Sequence, residues 1–292
     1  MKLAVIGFGL MGSSVARAAR RAWAANIDIL AVDPNADVRA KAEHLGLCNS
    51  AFSDISALPE DCDWIVLAAP VSANLSLINA AINKAGDKGC ITDLGSTKAE
   101  IVNQLETHHK GFKRFIPAHP MAGRESSGPE NGHQDLFDDK LFILTPPKTS
   151  AAIHINAAKA FYEKLGARTL LMQDASEHDR LMGYVSHLPH LLAFAFVNLA
   201  ASGNNGAHDY QDLTGAGYRD FTRIAASDPT MWQDIFLMNK ENMLEQIEAF
   251  SDMLDMYRQA IISGDKSKLT QLISAARDER KQLENIIRKT DK

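Results

Sequence analysis

Short apolar runs alternate with amphipathic stretches along the first 174 residues of this 292-residue chain. The runs are rich in β-branched residues and show no polar alternation, which is typical of parallel strands buried on both faces. Between the early runs, Ser13–Ala24 and Asp37–Leu45 have helical spacing. Alternation of strands and helices indicates a doubly wound α/β sheet. The predicted strands are Leu3–Ile6, Ile29–Val32, Trp64–Ala68, Cys90–Asp93, Arg114–Pro117, Leu141–Leu144 and Thr169–Met172.

Long helical patterns replace the strands after Gln173. Ala175–Ala201 is mostly apolar, Asp228–Gly264 carries apolar residues at helical spacing, and Lys266–Lys289 repeats that spacing. No later segment has the length and composition of a strand. We therefore predict two domains, residues 1–174 with the α/β sheet and residues 175–292 with helices alone.

The helical domain carries more apolar surface than it can bury by itself. Its stripes run from Ile235 to Tyr257 and from Leu269 to Ile287. A second copy packed on the same stripes would cover them with closed two-fold symmetry. We expect a homodimer formed through this domain.

Composition and charge exclude several classes of protein. The 31 Lys and Arg residues are outnumbered by 36 Asp and Glu, so the basic excess of a nucleic-acid binder is absent. The longest apolar run, Leu191–Val197, is far shorter than the ~18 residues of a membrane span. Cys48, Cys62 and Cys90 form no C-x-x-C pair, and no signal peptide is evident. We expect a cytoplasmic protein with reduced thiols.

A glycine-rich loop follows the first predicted strand. Gly7-Phe8-Gly9-Leu10-Met11-Gly12 has the form G-x-G-x-x-G, and a helix opens at its end. In a Rossmann-type domain the three glycines permit a tight turn, close approach of a pyrophosphate and close packing of helix on strand. The pyrophosphate then lies at the positive end of the helix dipole. The alternative is a glycine-rich turn without a ligand.

Asp33 ends the second predicted strand, at the spacing of an acid that binds the ribose hydroxyls of a dinucleotide. A carboxylate there would repel a 2′-phosphate, and no basic residue follows before Arg39. The sequence therefore predicts NAD as the cofactor. Alternatively, Asp33-Pro34-Asn35 only forms a turn and binds no cofactor.

Further motifs follow the loop in a characteristic order. They are Asp93–Lys98 (D-L-G-S-T-K), His119–Glu125 (H-P-M-A-G-R-E), Ser186–His190 (S-H-L-P-H), Asp220–Ala225 (D-F-T-R-I-A) and Ser227–Trp232 (S-D-P-T-M-W). Together with the glycine loop, these motifs make the chain similar to the prephenate/arogenate dehydrogenase family of tyrosine biosynthesis, from Leu3 to about Lys281.

The resemblance implies an oxidative decarboxylation of prephenate or arogenate, with substrate bound between the domains. Hydride leaves the hydroxyl-bearing ring carbon, a base takes the hydroxyl proton, and carbon dioxide is lost. Tyrosine is expected to inhibit, if at all, by occupying the same site.

The resemblance also assigns roles to residues. It makes His119 the base, and a neutral imidazole after a predicted strand suits that role. It gives Ser96 a hydrogen bond to the substrate hydroxyl and His119. Alternatively, Ser96 is a loop residue without a function, placed before a helix that Thr97 and Glu100 cap. Lys98 is expected to be solvated.

The same resemblance places further residues at the substrate. His187 contacts it, while His190 is expected to be a core histidine rather than half of an H-x-x-H metal pair. Arg223 binds a carboxylate, although a pair with Asp220 on the same helix face is the simpler alternative. The implied gate residues are Asp220 and Glu125, and Arg124 is a candidate for a second carboxylate.

Two other functions stay open. A β-hydroxyacid dehydrogenase has a similar two-domain plan but relies on a lysine in the helical domain, and Leu181–Asn198 contains none. A non-catalytic NAD sensor would keep the glycine loop but would not need Ser96, His119 and Arg223 together.

Overall fold

The computed structural model describes residues 1–124, 126–203 and 210–290, with side chains through Glu284. Five parallel strands form the main sheet in the order β3-β2-β1-β4-β5. Alternate residues of the central strand enter opposite apolar clusters, so both faces of the sheet are buried. The strands are β1 (Lys2–Ile6), β2 (Asp28–Val32), β3 (Ser50–Phe52), β4 (Cys62–Leu67) and β5 (Ala85–Asp93).

Helices cover this sheet. The helices of this part are α1 (Leu10–Trp23), α2 (Ala36–His44), α3 (Val71–Lys84), α4 (Ala99–His108) and α5 (Ala152–Lys164). The predicted doubly wound sheet is confirmed. The pattern missed β3, because this three-residue edge strand has no apolar run to mark it.

A second, three-stranded sheet corrects part of the prediction. It consists of β6 (Ala118–Pro120), β7 (Leu141–Leu144) and β8 (Arg168–Leu171), and β6 runs antiparallel to β7. The predicted strand Arg114–Pro117 makes a single bridge to the main sheet, between Phe115 and Ile91. Pro117 has no amide hydrogen to extend that pairing, and the chain turns to β7 instead. His119 consequently lies within β6 rather than after a strand.

Every described element beyond β8 is helical. The helices are α6 (Ala175–Met182), α7 (Leu188–Ser202), α8 (Ala216–Thr222), α9 (Pro229–Met238), α10 (Lys240–Ser263) and α11 (Lys266–Thr290). Two predicted continuous helices are interrupted. A π-helical turn, Gly183–His187, separates α6 from α7, and Asn239 separates α9 from α10.

The chain forms two compact units, Met1–Asn242 and Met243–Lys292. The division at residue 174 remains a prediction about domains. One stretch, Ala175–Ser202, has the length and hydropathy of a membrane span, and 17% of that apolar window is buried. A lone stretch of this kind is weak evidence, because core helices of other proteins pass the same test. The search of the sequence for an uninterrupted apolar run did not detect this stretch, because polar residues such as Ser186 interrupt it.

Candidate active site

The glycine loop has the geometry that a dinucleotide pyrophosphate requires. Gly7 has φ +86°, and a Cβ there would lie 2.6 Å from the amide nitrogen of Ala69. A Cβ on Gly12 would lie 2.1 Å from the carbonyl oxygen of Gly7, so helix α1 packs against the loop only with glycine there. A Cβ on Gly9 would meet nothing within 4 Å. The open face at Gly9 leaves room for a phosphate to approach the backbone.

The start of α1 completes this cradle. Gly9 is the N-cap residue, no described side chain caps the helix, and its first turn holds no acidic residue. The first amides of α1, from Leu10 and Met11, therefore lie at a helix end that favours an anion. Phe8, between the glycines, is fully buried and anchors the loop in the core. The glycine loop and the first turn of α1 therefore fit the pyrophosphate of a dinucleotide, which the loop motif implies.

Asp33 is tied to this loop. One carboxylate oxygen accepts a hydrogen bond from the Phe8 amide at 2.9 Å, and the other accepts from the Asn35 amide at 2.9 Å. Arg39 lies at the same turn, and its Nη1 donates to the carbonyl oxygens of Asp33 and Pro34. Six residues separate Arg39 from Asp33 in sequence, but the guanidinium is adjacent in space. Sequence distance alone is therefore no argument against a 2′-phosphate.

His119 is almost fully buried, and its ring contacts a second buried histidine. The Nδ1 atom of His119 lies 3.0 Å from Nε2 of His178, which belongs to α6. Burial is the main cause that holds the pKa of His119 well below its usual value, and the nearby His178 and Lys98 add to the shift. His119 is therefore a neutral imidazole at pH 7, as a proton acceptor must be.

Asp179 caps the helix that follows β5. Its Oδ1 accepts from the Lys98 amide at 2.7 Å, and its Oδ2 accepts from the Ala99 amide at 2.9 Å. The expected cap by Thr97 and Glu100 is wrong, because α4 begins at Ala99, and Lys98, its N-cap residue, makes no capping bond with its side chain. A carboxylate from another helix satisfies these amides instead.

Lys98 is fully buried, so the expectation that it is solvated is wrong. Its Nζ forms an ion pair with Asp93, the last residue of β5, and donates to the Ala118 carbonyl at 2.9 Å. Burial lowers the pKa of Lys98 and raises that of Asp93. The ammonium thus joins the end of β5 to the residue before His119. Because the carboxyl ends of parallel β1 and β5 share one sheet edge, His119 lies near the edge that carries the glycine loop.

The π-helical turn brings His187 into the interior. The Leu188 amide bonds to the carbonyl of Gly183, five residues earlier, and His187 is fully buried. Asn239, at the break between α9 and α10, donates from Nδ2 to Nδ1 of His187 at 2.9 Å. Nδ1 is then an acceptor and Nε2 carries the proton. Nε2 is buried and has no hydrogen-bond partner among the described residues, so its N–H is a buried donor that still lacks an acceptor there.

Burial lowers the pKa of His187 to about 4. His187 is therefore also neutral at pH 7. Its neighbour His190 donates from Nδ1 to the Ser186 carbonyl at 2.8 Å and stacks on Trp232 at 3.7 Å. The two histidines of the H-x-x-H motif have different hydrogen-bond partners, although both rings lie beside Trp232. Their roles as a substrate contact and a core residue remain predictions.

The remaining predicted residues differ in placement. Ser96 is half-buried in the loop between β5 and α4, at the carboxyl edge of the sheet. Arg223 and Asp220 are exposed, so the premise that the Arg223 guanidinium is buried is wrong. Arg124 is exposed as well, and Glu125 lies outside the described residues. The roles of these five residues remain predictions.

Only weak signals in the sequence point to the residues that support the site. His178 and Asp179 lie in a short polar stretch at the start of a mostly apolar pattern, and nothing in that pattern shows that they are buried. Lys98 belongs to the D-L-G-S-T-K motif, which fixes its position but not its burial. Asn239 is a polar residue that interrupts a helical pattern. The structure shows that its side chain is buried, and a buried amide needs hydrogen-bond partners.

Family models match both halves of the chain. The "Prephenate dehydrogenase, nucleotide-binding domain" matches residues 15–171, and the "Prephenate dehydrogenase, dimerization domain" matches residues 174–275. The chain belongs to the prephenate dehydrogenase family. A family relative, the cyclohexadienyl dehydrogenase of Zymomonas mobilis, is 34% identical over 265 residues, covering 90% of this chain and 89% of the relative.

Solved structures of the prephenate dehydrogenase family have the same fold. The Aquifex aeolicus prephenate dehydrogenase, determined with hydroxyphenyl propionate and NAD+, is 32% identical with a TM-score of 0.87, covering 97% of this chain and 98% of its own. The Synechocystis arogenate dehydrogenase is 25% identical with a TM-score of 0.77, covering 97% of this chain and all of its own. The predicted fold class, family and class of enzyme are confirmed.

Proposed function

We propose that this protein catalyses the NAD-dependent oxidative decarboxylation of prephenate, arogenate or both, in tyrosine biosynthesis. The observation that carries the proposal is His119. It is a buried, neutral imidazole beside the sheet edge that bears the dinucleotide loop, and its Nδ1 is held by His178. This arrangement leaves Nε2 to accept a proton. Membership of the family supports the reaction class.

NAD, held by Gly7, Gly9, Gly12 and Asp33, supplies the acceptor for the hydride that leaves the hydroxyl-bearing ring carbon. His119 takes the hydroxyl proton as the carbonyl forms. The bond to the ring carboxylate then breaks, carbon dioxide leaves, and its electron pair aromatises the ring to a phenolate. His119 returns the proton to that oxygen, so it acts first as base and then as acid.

Other residues bind the substrate in this proposal. His187 donates from Nε2 to a substrate oxygen, because that buried N–H has no other described partner. Ser96 lies at the sheet edge, where its hydroxyl can bond the substrate hydroxyl. Arg223 binds a carboxylate, supported by the match of its segment to the family motif. We further propose that the exposed Asp220 acts in gating the site and that the exposed Arg124 binds a second carboxylate.

The proposal is tested by supplying purified full-length protein with prephenate or arogenate and with NAD or NADP. The absorbance of the reduced cofactor and the release of carbon dioxide are followed together. Both signals should appear in equal amounts with at least one substrate. Reduced cofactor without carbon dioxide would indicate a different dehydrogenase and would contradict the proposal. Added tyrosine, if it competes for the site, should raise KM without lowering kcat.

Asp33 is expected to make NAD the preferred cofactor. Replacing Asp33 by serine should lower the preference for NAD, measured as kcat/KM with NAD divided by kcat/KM with NADP. The carboxylate that repels a 2′-phosphate is then gone, and the Arg39 guanidinium at the same turn can attract that phosphate. A second change, Arg39→Ala, should reverse the gain with NADP. Equal kcat/KM for the two cofactors in the unmodified protein would contradict this role of Asp33.

The protein is expected to be a homodimer in the cytoplasm. In the first compact unit Leu199, Leu213 and Leu237 are each at least 62% exposed, and in the second Ile261 and Ile262 are at least 66% exposed. Side chains of this kind on several helices favour association of copies. Sedimentation at micromolar concentration should give twice the chain mass of 31.9 kDa. A monomer mass at that concentration would contradict the dimer.

The pH profile should reflect the lowered pKa of His119. Protonation removes the base, so kcat/KM should rise with pH through the folded-state pKa and then reach a plateau. Because burial lowers that pKa, the midpoint should fall below the ordinary value of about 6.5. Initial rates between pH 4.5 and pH 8, corrected for unfolding by circular dichroism, measure it. A midpoint at or above about 6.5 would contradict the buried, neutral imidazole.

A further inference from the structure

We infer that His178 and Asp179 are positioning residues that hold His119 in the one tautomer able to accept a proton at Nε2. The inference rests on the proposed role of His119 as the base. Three side chains form an unbroken line from Asp179 to His119. Nδ1 of His178 lies 2.7 Å from Oδ1 of Asp179, and Nε2 of His178 lies 3.0 Å from Nδ1 of His119.

For a neutral His178, the hydrogen bonds assign every proton along this line. Asp179 is surrounded by donors, since its oxygens also accept from the Lys98 and Ala99 amides. It therefore accepts from Nδ1–H of His178, which leaves a lone pair on Nε2 of His178. That lone pair accepts from Nδ1–H of His119. Nε2 of His119 is consequently the unprotonated nitrogen.

The opposite tautomer is disfavoured by the same contacts. With its proton on Nε2, His119 would turn a lone pair toward the lone pair of His178 at 3.0 Å, inside a buried site. Burying two lone pairs face to face without a hydrogen bond is unfavourable, because neither nitrogen regains the bond it would make to water. His178 itself is fully buried with both nitrogens occupied, so it acts through His119 and does not reach a substrate.

Asp179 also connects the base to the proposed substrate contact. Its backbone carbonyl accepts from Nδ2 of Asn239 at 2.8 Å, and the same amide group donates to His187. The orientation of the Asn239 amide is fixed, because its Oδ1 accepts from Asn242 at 2.8 Å. One residue on α6 thus holds the start of α4, the tautomer of His119 and the orientation of His187.

The direct test measures the tautomer by NMR. Full-length protein with ¹⁵N-labelled histidine is examined at pH 8, and the His119→Asn variant identifies the His119 signals. The expected result is a protonated Nδ1 and an unprotonated Nε2 on His119. In His178→Phe, which keeps a ring but removes the acceptor, the proton should move to Nε2. An Nε2–H tautomer in the unmodified protein, or an unchanged tautomer in His178→Phe, overturns the inference.

Kinetics give a second readout. His178→Phe should lower kcat by about 10–100-fold, by analogy with the loss of a partner that orients a metal-binding histidine, with a much smaller change in KM. His178→Gln offers an oxygen to Nδ1–H of His119 and should recover part of kcat. The control is His154→Phe on α5, outside the network, with melting temperatures measured for all three variants. An unchanged kcat in His178→Phe also overturns the inference.

The two readouts separate this inference from the proposed function. If the tautomers behave as expected but neither prephenate nor arogenate is oxidised, the inference that His178 and Asp179 position His119 is supported and the proposed reaction is wrong. If either substrate is decarboxylated while His119 carries its proton on Nε2, the proposed reaction is supported and the inference about His178 and Asp179 is wrong.

Discussion

Replacing His119 by asparagine is expected to lower kcat by about 10²–10⁴-fold, the usual contribution of general-base catalysis. Asparagine can still hydrogen-bond to His178 and fill part of the site, but it cannot take a proton. KM for prephenate or arogenate should change little, because the lost interaction belongs to the transition state. Steady-state kinetics at pH 8 measure the effect, with the melting temperature as a check on folding.

Arg223→Ala provides the contrast. A carboxylate bound by Arg223 is present in the ground state and in the transition state, so its loss should raise KM more than it lowers kcat. Arg223 is exposed, which makes misfolding of this variant a minor concern. If His119→Asn keeps the kcat and pH dependence of the unmodified protein, His119 is not the base.

The sequence predicted the parts of this molecule that depend on local pattern. Apolar runs located six of the eight strands in the described part of the chain. The glycine spacing identified a loop whose backbone geometry matches its motif at Gly7 and Gly12. It failed where structure depends on distant partners. Pro117 ends one pairing, but nothing nearby in sequence shows that the next residues pair antiparallel with β7.

The site shows the same limit. His119 and His187 were identified by motif, yet their protonation depends on His178 and Asn239, which lie 59 and 52 residues away in the chain. A capping box at Thr97 is a sound local expectation, but a carboxylate 80 or more residues away supplies the cap. Burial of a lysine is still harder to foresee, since charged residues are almost never fully buried unless they are paired.

The largest expected effect on stability follows from that lysine. Lys98→Met should lower the free energy of unfolding by about 3–5 kcal/mol, because it leaves the buried carboxylate of Asp93 without its partner. Changing both residues, as Asp93→Asn with Lys98→Met, should restore most of the loss, since no unpaired charge then remains. Urea unfolding at pH 7 measures both, with an unchanged m-value showing that the midpoint shift is a change in stability.

An exposed ion pair is the matched control. Lys41 contacts Glu130 at 2.7 Å with both side chains about half exposed, so Lys41→Met should leave the urea midpoint unchanged. Lys98→Met should also raise the pKa of His119, because the Lys98 ammonium is one cause that lowers it. The acid limb of the pH profile, which is the rise of kcat/KM with pH as His119 loses its proton, should then move to higher pH. If Lys98→Met shifts neither the midpoint of unfolding nor the acid limb, the buried ammonium has no role in supporting the site.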